Sequence, residues 1–139
     1  MKSRDTLLRL KRFQLDEKRR KVAQLEMMIA EFDRMAGDLD REIQHEEHKA
    51  KISDPTHFAY PTYARAAMGR RDNLRESAAN LKGQLDDARA AVEEAFEDLK
   101  KVETLDNREH ARERAEAAAR EQSTYDQIGL ARHAARASA

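Results

Sequence analysis

The chain has 139 residues, of which 39% are charged and only 5% are aromatic, and it contains no tryptophan. This composition supplies too few large apolar residues for a spherical core, so it favours an elongated helical protein or partial disorder. The 27 basic and 27 acidic residues balance each other, which argues against a nucleic-acid-binding protein. Cysteine is absent, and this excludes disulfides and thiolate metal sites.

The first residues are basic but do not form a targeting or membrane segment. Leu7, Leu8 and Leu10 are interrupted by arginine and lysine, and no continuous apolar stretch follows. This pattern argues against a secretory signal and against a transmembrane span. We therefore expect a cytoplasmic protein that does not insert into the membrane and reaches it only through partners.

A strict seven-residue repeat dominates the first third of the chain and predicts a helix over about 4–52. Such spacing is typical of a helix whose narrow apolar stripe packs on a partner helix. Ser3 or Asp5 is a suitable N-cap. The first series of the repeat is Leu8, Leu15, Val22, Ile29, Ala36, Ile43 and Ala50, and a second series includes Leu25, Phe32 and Leu39.

Two prolines predict a bend over 53–61. The run Ser53-Asp54-Pro55 should end the first helix, because a proline disfavours the helical conformation of the residue before it. Three aromatic side chains lie in or just after the bend, and two interpretations of them remain open. They either close the end of the helical seam or form an exposed anchor for a partner. These aromatic residues are Phe58, Tyr60 and Tyr63.

A second apolar stripe predicts a longer helix over about 62–122, followed by a tail over 123–139 that frays. Pairing this stripe with the first in antiparallel orientation gives a preferred register in which Ile29 faces Ala88. The alternative register sets Ile29 against Leu81. The preferred register also places two opposite charges together, Lys11 with Asp106 and Glu46 with Arg71. The fold class predicted is all-α, an elongated antiparallel coiled-coil hairpin with the second helix longer than the first.

Nothing in the sequence predicts an enzyme, a cofactor or a metal site. His45 and His48 are three residues apart, whereas two histidine ligands on a zincin helix are four apart, so a solvated polar turn is the favoured interpretation. The four glycines are isolated, so there is no phosphate-binding loop. A two-helix hairpin also lacks the water-excluding cleft that nucleophilic catalysis needs.

The first turns of the chain carry apolar residues away from the main stripe. Leu7, Leu10 and Phe13 lie there, among several arginines. A second apolar face on a helix that already has a partner suggests a further protein partner. The alternative is that the C-terminal extension covers this face through Tyr125 and Ile128.

The chain resembles the FliJ family, the small coiled-coil proteins of the flagellar type III export apparatus. The similarity is carried by Leu7-Leu8-Arg9-Leu10, by Arg12-Phe13-Gln14 and by Asp16-Glu17, followed by a long heptad helix, a short bend and a longer second helix. It extends over roughly residues 4–125. The two-proline bend is not a feature expected throughout that family.

The resemblance implies a non-enzymatic role in flagellum biogenesis and motility. Members of the family bind the hexameric export ATPase, contact the cytoplasmic domain of the export gate and handle export chaperones. The paired termini would enter the ATPase ring, and the protein would be peripheral at the inner membrane. From expected exposure and residue type, we predict two sets of partner-binding residues. The set on the ATPase side is Leu7, Arg9, Leu10, Arg12, Phe13 and Arg112, and the set on the gate side is Phe58, Tyr60, Tyr63, Met68, Arg70 and Arg71. A holdase-type chaperone or a generic coiled-coil scaffold is the alternative function.

Overall fold

The computed structural model describes residues 2–138, which form two α-helices, α1 (Lys2–Ala50) and α2 (Thr62–Ala137). The described chain contains no strand. The two helices are antiparallel, because the partner on α2 moves back from Arg89 to Arg71 as α1 advances from Glu26 to Asp40. The predicted fold class, an all-α antiparallel two-helix hairpin with a longer second helix, is confirmed. Within the described residues, neither helix is both long and apolar enough to cross a membrane.

The chain divides into two compact units, and each has its own buried residues. The hairpin unit comprises residues 13–96 and contains the bend. The terminal unit comprises residues up to 12 together with residues from 97 onward, and in it Leu8 and Leu99 are buried. Two apolar clusters form the core of the hairpin unit. The first cluster is Leu25, Ile29, Leu81, Leu85 and Ala88, and the second is Ile43, Tyr60, Ala64 and Ala67.

Helix α1 ends in a Schellman motif, before the prolines that were expected to stop it. Lys51 has a φ of 58°, which is the left-handed conformation that usually falls to glycine at this position. Its N–H donates to the carbonyl of His48 (3.3 Å), and the N–H of Ile52 donates to the carbonyl of Glu47 (3.2 Å). Ile52 then packs on the second apolar cluster. The residue at this position is lysine and not glycine, so the sequence does not predict this helix ending.

A glycine at position 51 should stabilise the protein. A non-glycine residue in the left-handed region costs about 1–2 kcal/mol, so we expect Lys51→Gly to raise the free energy of unfolding by about 1 kcal/mol. The matched control is Lys49→Gly, two residues earlier in the last helical turn, which should lower it by up to about 1 kcal/mol. Urea unfolding followed by circular dichroism measures both. Equal effects of the two substitutions would contradict the motif.

The bend is held by hydrogen bonds from polar side chains. Asp54 Oδ1 accepts from the backbone N–H of Thr56 (2.9 Å) and from its hydroxyl (2.7 Å). These bonds, the backbone one first, lower the pKa of the Asp54 carboxyl. Arg65, on the first turn of α2, donates to the carbonyl of Pro55 (3.0 Å) and places its guanidinium 5.7 Å from the ring centre of Tyr60. Arg65 therefore attaches the bend to α2, a role that nothing in the sequence indicates.

The predicted pair of Glu46 with Arg71 is not formed. Arg71 Nη1 donates to Asp40 Oδ1 at 2.9 Å, and two further bonds go to Asp72. Arg75 also donates to Asp40. The hydrogen bond to Asp40 is the main cause that raises the pKa of Arg71.

The predicted pair of Lys11 with Asp106 is also replaced, in the terminal unit. Arg4 Nη1 lies 3.5 Å from Asp106 Oδ1, and Arg4 Nη2 donates to Glu113 Oε1 at 3.1 Å. Position 113 is the one that the preferred register sets opposite Arg4, and Asp106 lies one heptad earlier on α2. In both cases another charged residue occupies the predicted partner: two aspartates bind Arg71, and Arg4 approaches Asp106.

The contacts of Asp40 fall between the levels that the two predicted registers give it. Since Arg71 and Arg75 both bind it, Asp40 lies near the level of Asn73. The preferred register would set it opposite Ser77, and the alternative register would set it opposite Arg70. At Asp40 the contacts therefore lie between the two predicted levels.

Cysteine pairs can test this register. On the same spacing Ile29 lies near the level of Leu85, and the chain has no native cysteine. We expect Ile29→Cys to form a disulfide faster with Leu85→Cys than with Leu81→Cys or Ala88→Cys, because disulfide geometry tolerates little displacement. Oxidation rates on non-reducing gels at low protein concentration give the comparison. Fastest closure with position 88 or 81 would restore one of the predicted registers.

Helix α2 continues to Ala137, well past the predicted end near 122. No proline follows Pro61, and the segment is rich in alanine, arginine and glutamate, which are strong helix formers. Every residue from 111 to 138 is exposed. The predicted fraying of the tail over 123–139 stays a prediction, and Ala139 lies outside the described residues.

Candidate protein-binding site

An open groove lies between the helices of the hairpin unit. Its volume is about 520 Å³. Leu39 and Leu74 are half-buried in it, and Met35 is 39% exposed. Apolar residues at helical spacing, bordered by charges, are the pattern that accepts an amphipathic helix. The lining is completed by Asp38, Glu42, Tyr63, Arg70, Asn73 and Ser77.

Two of the predicted gate-side residues, Tyr63 and Arg70, line this groove. The hydroxyl of Tyr63 donates to Glu42 Oε2 at 2.6 Å, and this bond is the first cause that raises the pKa of Tyr63. The ring remains 49% exposed. Arg70 is exposed and forms no ion pair with any other described residue. The groove therefore offers an oriented aromatic ring and an uncompensated cation.

The other predicted gate-side residues have mostly structural positions. Tyr60 is only 4% exposed, and its hydroxyl donates to Glu47 Oε1 at 2.7 Å. Burial, followed by this hydrogen bond, raises the pKa of Tyr60. Met68 is half-buried against the second apolar cluster, and Arg71 is held by aspartates. The expected exposure of Tyr60 is therefore wrong, and for this ring the interpretation that it closes the seam is the one that holds.

Phe58 has the opposite environment. Its side chain is 93% exposed and stacks on His57, with ring centres 4.8 Å apart. His57 is itself fixed, because its Nδ1 accepts from the backbone N–H of Ala59 at 3.0 Å. The anchor interpretation thus remains available for Phe58, at the tip of the bend.

The terminal unit presents its own exposed apolar residues. Leu8 is 7% exposed, whereas Leu7 and Leu10 are 39% and 47% exposed. Arg9 and Arg12 are exposed too. One sequence motif therefore supplies both an inward leucine and an outward apolar and basic surface.

Two further residues of the predicted ATPase-side set have different surroundings. Arg112 donates to Glu109 Oε1 at 2.6 Å and is within 4.0 Å of Glu116. Its charge is thus already shared within α2. Phe13, the first residue of the hairpin unit, is 59% exposed.

A polar cluster in the terminal unit was not foreseen from the sequence. Arg4 and Asp106 have side chains that are 18% and 14% exposed. His110 approaches Asp106 Oδ1 with Nε2 (3.4 Å) and Glu113 Oε2 with Nδ1 (3.5 Å). Position 4 faces position 113 in the preferred register, but the only pair predicted at this end of the seam is that of Lys11 with Asp106.

The two histidines of the 45–48 segment line different grooves. His45 lies with Glu42, Glu46 and Tyr63, whereas His48 lies with Glu47 on another surface. Among the described residues, no group of three or more histidine, aspartate or glutamate side chains is placed to hold a metal ion.

Comparisons of the chain with family models, with curated proteins and with solved structures gave no significant match.

Proposed function

We propose that the chain is a non-enzymatic component of the flagellar protein export apparatus. In this role it is a stalk-like coiled coil that links the export ATPase ring to the export gate and assists export chaperones. It resides in the cytoplasm and is peripheral at the inner membrane through these partners. The observation that carries the proposal is the N-terminal leucine and arginine motif on an antiparallel hairpin whose second helix is longer.

The exposed surfaces supply the two binding regions that such a link requires. Leu7, Arg9, Leu10, Arg12 and Phe13 are assigned to the ATPase. A partner can bury these exposed apolar side chains, and arginine is enriched at protein interfaces.

On the gate side the assignment narrows to three of the six predicted residues. These are Phe58, Tyr63 and Arg70, since exposed aromatic and arginine side chains dominate binding energies at interfaces. Tyr60 is buried, Met68 is half-buried on the second apolar cluster and Arg71 is bound by Asp40 and Asp72, so these three are left out of the assignment.

Separate variants of the two regions test the proposal. Full-length protein is incubated with the purified export ATPase or with the cytoplasmic domain of the export gate, and retention is measured by pull-down. We expect Leu7→Ala with Leu10→Ala to weaken ATPase binding, and Phe58→Ala with Arg70→Ala to weaken gate binding, each by about tenfold or more. Met27→Ala, at a side chain that is 73% exposed outside both regions, is the control. The proposal is abandoned if neither partner is retained and a deletion strain swims normally.

A holdase-type chaperone or scaffold is the second candidate, and exposed methionines favour it. Met27, Met28 and Met35 are 73%, 39% and 39% exposed on α1. Unbranched thioether side chains adapt to many apolar surfaces, so they suit promiscuous binding. This candidate predicts that the protein suppresses aggregation of an unfolded client without the ATPase. Replacing the three methionines by glutamine should remove that activity.

A further inference from the structure

Two surfaces of the chain match each other in spacing and charge, although neither is covered within the part that the structure describes. One is the groove of the hairpin unit, and the other is the C-terminal segment, residues 121–137. We propose that the C-terminal segment of one copy binds as an additional helix in the groove of a second copy. This inference concerns self-association and goes beyond the proposed export function.

The C-terminal segment presents one mixed face. Tyr125 is 62% exposed and Ile128 is 43% exposed. Arg132 and Arg136 follow on the same side of α2, because residues three, seven and eleven positions apart share a face of an α-helix. The face is thus apolar for one turn and basic for the next two.

The α1 wall of the groove has the complementary order. Met35 and Leu39 come first, followed by Glu42 and Glu46. Glu42 lines the groove and also a smaller groove that adjoins it, and Glu46 lines the smaller one. These four residues are spaced by four, three and four positions. The wall is therefore apolar for one turn and acidic for the next two.

A segment parallel to α1 brings like levels together. Tyr125 and Ile128 then reach the level of Met35 and Leu39. Arg132 comes to Glu42 in the same arrangement, and Arg136 comes to Glu46 one turn further on. Since both elements are α-helices with the same rise, the match persists over four successive contacts to within one residue, which is the offset of Ile128 from Leu39.

The charges on both sides are uncompensated in the described chain. Glu42 accepts only the hydroxyl of Tyr63, and neither Glu42 nor Glu46 pairs with a cation in residues 2–138. Arg132 and Arg136 form no ion pair there either. Docking would give each of these four groups an opposite charge and would cover apolar atoms of the groove floor.

Self-association of this kind excludes a partner from the groove. Tyr63 and Arg70, which are assigned above to the gate side, would lie under the C-terminal segment of the second copy. The self-associated form would then be the one in which the groove is closed to other proteins.

Charge reversal in the full-length protein tests the proposal by analytical ultracentrifugation over a range of concentrations. We expect the natural chain to form a dimer that Arg132→Glu with Arg136→Glu weakens by about tenfold or more. Adding Glu42→Lys with Glu46→Lys to that variant should restore the dimer. Arg114→Glu with Arg120→Glu makes the same change of charge elsewhere on exposed α2 and should have no effect. All of these positions are exposed except Glu46, which is half-buried, and circular dichroism verifies that the variants remain helical.

Cross-linking shows whether the contact joins two copies. Ile128→Cys in one preparation is mixed with Leu39→Cys in another, and a disulfide between the two preparations is expected, faster than one of Leu39→Cys with Ala115→Cys. A chain that stays monomeric at all concentrations, or a dimer that ignores the charge reversal, overturns the proposal.

One substitution separates this proposal from the export function. Arg70→Glu adds a carboxylate to the groove, so it should tighten the dimer by about threefold or more while it weakens binding of the gate domain. Weaker gate binding together with an unchanged or weaker dimer would contradict the self-association and leave the export function standing. A tighter dimer with unchanged gate binding would contradict only the gate-side assignment.

Discussion

Replacing Leu25 by alanine lowers the free energy of unfolding by about 2–5 kcal/mol. Leu25 is 2% exposed and packs in the first apolar cluster with Ile29, Leu81 and Leu85. The substitution removes buried methyl groups and leaves a cavity that two packed helices cannot fully close. A hairpin has only one interface between helices, so no other packing layer compensates for the cavity. Urea unfolding followed by circular dichroism at 222 nm measures it.

Met27→Ala is the matched control for this prediction. Met27 is two residues away on the same helix and is 73% exposed, so the change should stay within about 0.5 kcal/mol. A similar loss for both variants would mean that the seam does not bury position 25.

Replacing Tyr60 by alanine lowers the free energy of unfolding by about 3–5 kcal/mol. Tyr60 packs with Ile43, Ala64 and Ala67. Because the two alanine side chains are small, they cannot fill the space that the ring would leave. Hydrogen exchange should show faster opening of the bend and of the adjoining turns of both helices.

Tyr60→Phe separates the ring from its hydroxyl. This substitution keeps the packing and removes only the hydrogen bond to Glu47, so we expect a loss of about 1–3 kcal/mol, as for a bond to a charged acceptor. Equal losses for phenylalanine and alanine would show that the ring contributes nothing by packing. Phe58→Ala, at an exposed side chain, should leave stability unchanged.

These variants also separate stability from binding in the proposed export role. Tyr60→Ala should weaken binding of the gate domain only as far as it loosens the bend that presents Phe58 and Tyr63. Phe58→Ala should weaken binding without any change in unfolding. A partner that distinguishes the two variants in this way contacts Phe58 directly.

The sequence predicted the apolar stripe well but not the ending of its helix. Of the first series, Leu8, Leu15, Ile29, Ala36 and Ile43 are buried, whereas Val22 is half-buried and Ala50, at the end of the helix, is exposed. Lys51 carries no such signal, because a left-handed C-cap at lysine is set by the bonds that surround it and by the docking of Ile52.

The candidate site was only partly predictable. Residue type suggested Phe58, Tyr60, Tyr63 and Arg70 alike, and nothing in the chain distinguishes a ring that turns inward from one that turns outward. Burial separated Tyr60 from Phe58 because the turn geometry from Asp54 to His57 directs one ring onto the alanines and leaves the other in water.

The sequence by itself determined the two helices, their antiparallel pairing and the greater length of the second. Two periodic apolar stripes joined by a short bend are buried when the helices pack against each other. Only the tertiary structure decided the register, the partners of Asp40 and Asp106, and the groove beside Tyr63. These depend on how side chains insert between one another across the seam. Such insertion is a property of two surfaces together, and neither stripe specifies it alone.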